Sequence, residues 1–138
     1  MKDNSLTQRK RRDLYSLYLK GLREGKFTSV RDAGAWIVKQ PAPCYYISPE
    51  HADEYIGKLM ANQSLIKLNS STRRAAWKLY RDYKEWLAKH PGTKRSRISV
   101  VYELVERPAP EFYMTSDAAR RLLGEAITEA KRKAGWGD

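Results

Sequence analysis

The side chains best placed to do chemistry in this chain are its cations. They gather in short clusters: Arg9, Lys10, Arg11 and Arg12 near the start, Arg73-Arg74 at mid-chain, and Lys94, Arg95 and Arg97 further on. Arg120-Arg121 and Lys131-Arg132-Lys133 follow in the last quarter. Guanidinium and ammonium groups neutralise phosphates, and arginine grips them in a two-pronged fashion. Several of these clusters open expected helices, where positive charge opposes the helix dipole, so helix stability does not explain them. Over 138 residues, 27 Lys+Arg stand against 16 Asp+Glu, a net charge of +11. That balance points to a polyanion, nucleic acid first and acidic membrane or protein surfaces second.

The other reactive types are sparse. Cys44 is the single cysteine, which excludes an internal disulfide and a cysteine-based zinc site. A nucleophilic thiol needs a base beside it, and His51 is the one local candidate; Cys44 reads as an inert, partly buried thiol. His90, before Pro91, reads as a helix-end residue. The acidic residues are scattered among bases and form no pair suited to acid–base or two-metal work. No glycine-rich phosphate loop, GxSxG or HExxH is present. Nine tyrosines raise a tyrosine recombinase or relaxase, but the Arg and His partners those enzymes need form no recognisable motif. The expectation is a protein with no enzymatic activity, no metal and no cofactor. Apolar runs fall short of the ~20 residues of a membrane span, and the basic N-terminus has no apolar core of a secretory signal.

These residues are carried on a repeat. Pro41-Ala42-Pro43-Cys44-Tyr45-Tyr46-Ile47-Ser48-Pro49-Glu50 recurs 67 positions later as Pro108-Ala109-Pro110-Glu111-Phe112-Tyr113-Met114-Thr115-Ser116-Asp117. The match runs on through Gly57/Gly124 and Met60/Ile127. Upstream, Arg11-Arg12, Tyr15, Leu17 and Tyr18 match Arg73-Arg74, Trp77, Leu79 and Tyr80 at a spacing of 62. The difference of five implies a longer loop after the first helix of the second copy, at 90–94. The chain thus reads as two related three-helix units, 1–69 and 70–138, sharing one core in one compact all-α domain.

Each half supplies three helices. Leu14, Tyr15, Tyr18, Leu19 and Leu22 recur at three- and four-residue spacings over 6–25, an apolar stripe that Gly25 ends. Ser29 caps a second helix over 29–39, with Val30, Ala33, Trp36 and Ile37 inward; Pro41 and Pro43 forbid its continuation. Ser48 caps a third, with Pro49 at its first position. The second half repeats the plan over 71–89, with Trp77, Tyr80, Tyr83, Trp86 and Leu87 on or near one face, then over 96–106 and 116–134. The Pro-Ala-Pro-x-aromatic-Tyr segment between second and third helices is expected to be extended. Either Tyr45, Tyr46, Phe112 and Tyr113 are core or staple residues of the junction, or one of each pair, Tyr46 and Tyr113, points outward to orient or stack on a ligand. Alternation sends neighbours to opposite faces, so at most one aromatic of each pair can be core.

The core of that segment, within 40–52, resembles a PA-x-R-F-Y-x-S-x-E-x-A pattern of small basic helical proteins from phages and mobile elements of Bacteroidetes bacteria. Cys44 and Glu111 stand where the pattern has Arg. The resemblance implies a phage or mobile-element origin, in the host cytoplasm or associated with a virion, and brings no catalytic residue. The expected function is non-enzymatic nucleic-acid binding, DNA before RNA, by helix-turn-helix-like units. Its expected contacts are Arg9, Lys10, Arg11, Arg12, Arg73, Arg74, Lys94, Arg95, Arg97, Arg120, Arg121, Tyr46 and Tyr113. The competing expectation is a structural or assembly protein, or an accessory scaffold subunit, whose aromatic faces bury a protein partner or a second copy. No membrane partner is expected.

Overall fold

The computed structural model describes residues 5–135, which form six helices and, among the described residues, no strand. In chain order they are α1 (Ser5–Arg23), α2 (Val30–Ile37), α3 (Pro49–Met60), α4 (Ser70–Lys89), α5 (Arg97–Leu104) and α6 (Ser116–Lys133). Their starts have local causes. Ser29, Ser48, Asn69, Ser96 and Thr115 sit at the N-caps of α2 to α6, and each side-chain oxygen accepts from the backbone N–H three residues on. Gly25 (φ 68°) and Gly92 (φ 77°) take the left-handed conformation in the turns after α1 and α4, where a side chain would add strain. Among the described residues, no helix is long and apolar enough to cross a membrane.

The helices group into two compact units. One comprises residues up to Ala42 and from Pro110 on, so α1, α2 and α6 pack together; the other is Pro43–Ala109, holding α3, α4 and α5. The boundary is therefore not at 69/70. The chain changes unit inside each Pro-Ala-Pro triplet, between Ala42 and Pro43 and between Ala109 and Pro110. The prolines stop α2 and α5, and the helix that follows each triplet packs on helices from the other half of the sequence. Sequence periodicity is silent on this choice, because it marks the apolar stripe of each helix without naming its partner.

In the first unit, Leu14, Ile37, Phe112, Ala119 and Leu123 are among the fully buried side chains. α2 and α6 approach closely at Gly34, where a Cβ would lie 2.9 Å from the Ser116 carbonyl oxygen and 3.3 Å from the Arg120 Cβ. Phe27, in the turn after α1, is buried between Tyr18 and Trp36, with ring centroids 5.6 and 5.7 Å away. The second unit buries Ile56, Leu79, Val100, Val101 and Leu104. Beside them, Leu59, Leu65 and Ala76 form a cluster flanked by Tyr55, Leu68 and Tyr80.

The expected five-residue insertion after α4 is not a longer loop: segments 24–29 and 90–96 differ by one residue. The aromatic segments also depart from plain extension. Tyr46 and Tyr113 both adopt positive φ, 57° and 55°, a conformation that costs a bulky L-residue ~1–2 kcal/mol. Before them, Tyr45 and Phe112 are buried, at 4% and 1% exposure, so one aromatic of each pair is core and its neighbour is partly exposed.

Candidate nucleic-acid interface

The arginines singled out by sequence fall into two groups. Some are bound up within the fold. Arg97, the first residue of α5, reaches α3, where its Nε donates to Asp53 at 2.6 Å and its second nitrogen to the other carboxylate oxygen at 3.4 Å. Its guanidinium lies over Gly57, where a Cβ would come within 2.9 Å of it, and meets the Met60 sulfur at 3.7 Å. The hydrogen bond to Asp53 raises the Arg97 pKa further. Arg95 pairs with Glu103 at 2.7 Å, donates to the Ser99 carbonyl at 2.8 Å and lies over the Trp86 ring, 5.5 Å from its centroid. The Arg95 hydrogen bond holds the Glu103 carboxyl below the usual range. Arg73 donates to the carbonyls of Ile66 and Leu68, closing the 61–69 turn onto α4. Arg11 joins α1 to α6 through Glu125 at 3.0 Å.

The others lie on helix faces or, for Lys94, in a loop. Arg12 on α1, Arg74 at the start of α4, Lys94 in the loop before α5, and Arg120 and Arg121 on α6 are exposed; Arg9 and Lys10 are partly buried on α1. Arg120 has Asp117 at 3.9 Å, a loose contact one turn away. Tyr46 and Tyr113 are partly exposed. The sites thus lie in two units: Arg9 to Arg12, Arg120, Arg121 and Tyr113 in the first, and Arg73, Arg74, Lys94, Arg95, Arg97 and Tyr46 in the second.

α4 carries the feature that sequence reading missed. It holds six bases and two acids. Both acids are already engaged: Asp82 by Lys78 and by the Tyr45 hydroxyl, which donates at 2.8 Å, and Glu85 by Lys89 at 4.0 Å. Arg74, Trp77, Arg81 and Lys84 are all exposed, and their spacing of three, four and three puts them on one stripe. No carboxylate lies within ion-pair distance of Arg81 or Lys84 among the described residues. Trp77 is 46% exposed and meets Tyr80 at 5.8 Å with the rings tilted by 74°, so the two do not stack on each other. Lys84 lies over the Tyr80 ring, 5.0 Å from its centroid.

Nothing in the described residues forms a metal-binding cluster of His, Cys, Asp and Glu. Cys44 is buried, at 2% exposure. Glu50 accepts from the Tyr102 hydroxyl at 2.8 Å, which lowers the carboxyl pKa and raises that of the phenol. These contacts tie α3 to α5. No family model, no curated protein and no solved structure matches this chain.

Proposed function

We propose that this is a non-enzymatic nucleic-acid-binding protein. The observation that carries the reading is the surplus of cations in both units. Residues 1–42 and 110–138 hold 15 Lys+Arg against 9 Asp+Glu, a net +6; residues 43–109 hold 12 against 7, a net +5. A polyanion is the partner that such a surface attracts, and phosphate neutralisation supplies its affinity. DNA is the first substrate to test, and a phage or mobile element in a bacterial host is the setting we favour.

We also read the two sequence halves as copies of one three-helix plan that have exchanged their last helices. Support comes from α2 and α5, which span 30–37 and 97–104, and from α3 and α6, which start at 49 and 116, all 67 apart. The shared positive φ of Tyr46 and Tyr113 adds to it.

A gel-mobility shift on the full chain tests the function. Binding is expected at low salt and loss of most of it at moderate salt. Arg81→Ala with Lys84→Ala should weaken the complex several-fold, since each removes one phosphate partner. The competing reading, a structural or assembly component, is favoured by the exposure of Met60, Ile66 and Trp77 in the second unit. Light scattering separates the two: a stable oligomer without nucleic acid, and no shift at low salt, would favour assembly.

A further inference from the structure

The exposed stripe of α4 goes beyond a generic cationic surface, and we propose that it binds single-stranded nucleic acid by stacking an unpaired base on Trp77 while Arg81 and Lys84 hold the flanking phosphates. This deepens the reading given under Proposed function and rests on it. The indole sits mid-stripe, about 6 Å along the helix axis from Arg81 and about 10 Å from Lys84. It is a large apolar surface left 46% exposed, with the exposed cations Arg74, Arg81 and Lys84 along the same stripe. An apolar protein partner would leave Arg81 and Lys84 buried without counter-charge, which is costly. A nucleic-acid strand supplies both complements at once, a π face for the indole and phosphates for the cations.

The strand must be single. In a duplex each base face is covered by its neighbours in the stack, and the indole has one hydrogen-bond donor with which to read a groove edge. An unpaired base offers its face freely. Tyr80, tilted against Trp77 and covered by Lys84, steadies the indole without covering it by a parallel stack. The stripe belongs to α4 alone, since α1 carries no tryptophan.

The test is a titration of fluorescein-labelled oligo(dT) and of a duplex of equal length with the full chain, monitored by anisotropy at low salt. Wild type, Trp77→Ala and Trp77→Phe are compared, with circular dichroism and thermal midpoints as fold controls. The wild type is expected to bind the single strand more tightly than the duplex. Trp77→Ala should lose about tenfold in single-strand affinity, the size of one lost stack, while duplex affinity changes little. Trp77→Phe should recover most of the loss. Undiminished single-strand binding by a folded Trp77→Ala overturns the stacking inference and leaves the function standing. Equal losses on both probes overturn it too, by pointing to a wedge between paired bases. Dimerisation of the free protein that Trp77→Ala abolishes assigns the stripe to a second copy instead. Failure of the wild type to bind either probe removes the underlying function itself.

Discussion

Arg97 shows how a charged side chain can be legible as a residue and misleading as a site. Its place beside Lys94 and Arg95 suggests a phosphate grip, yet its guanidinium is spent on Asp53 and lies in the space that the missing side chain of Gly57 leaves open. Arg97→Ala should therefore cost stability, about 1–2 kcal/mol for a partly exposed, charge-assisted pair, measured by urea unfolding. A double-mutant cycle with Asp53→Asn should show that most of this is coupling between the two. The same substitution should disturb nucleic-acid binding less than Arg81→Ala does. Glu103 makes a related prediction. Its pKa is lowered by Arg95, so the pair's stabilisation is present above the ordinary glutamate range and lost as pH falls through the depressed folded value. Glu103→Gln should flatten that acid limb of the thermal midpoint against pH. Partner choice at the residue scale is set by tertiary neighbours such as Asp53 on α3, and a string of cations does not carry it.

At the scale of the element, caps and stops were readable, because Ser29, Ser48 and Thr115 act on their own next turn. Thr115→Ala should cost about 1 kcal/mol by removing the acceptor for the Ala118 N–H. The faces of α4 were less readable. Its aromatics at 77, 80, 83 and 86 are spaced by three, and three residues fall about 60° short of a full turn. From Trp77 to Trp86 that shortfall accumulates to about 180°, so Trp86 is buried while Trp77 faces solvent. The aromatics expected on or near one face therefore divide, with Tyr83 and Trp86 buried and Trp77 left exposed. Close approach of elements is equally invisible in one sequence. Gly34→Ala should cost about 1–3 kcal/mol, since the new methyl meets the backbone of Ser116 rather than a movable side-chain end. Thermal unfolding of this variant checks the α2–α6 crossing.

At the scale of the whole molecule, six helices and their order were legible in the periodicity, and the partnership of those helices was not. Local patterns mark an apolar face without naming what covers it. The structure resolves it by pairing α6 with α1 and α2, and α3 with α4 and α5. A consequence follows for fragments. Residues 43–109 are contiguous and hold one complete unit, so this fragment should unfold cooperatively on its own. Residues 1–69 lack α6 and should not, because Leu14 and Ile37 lose their cover; circular dichroism of both fragments in a denaturant series checks this. The charge, in contrast, divides almost evenly whichever way the chain is cut, which is why composition alone already pointed to a polyanion. The most direct test of that function is the affinity of the full chain for a labelled single-stranded oligonucleotide across a salt series. With Arg74, Arg81 and Lys84 on phosphates, log affinity should fall against log salt with a slope of about −2 or steeper. An affinity indifferent to salt, or none at low salt, would contradict it.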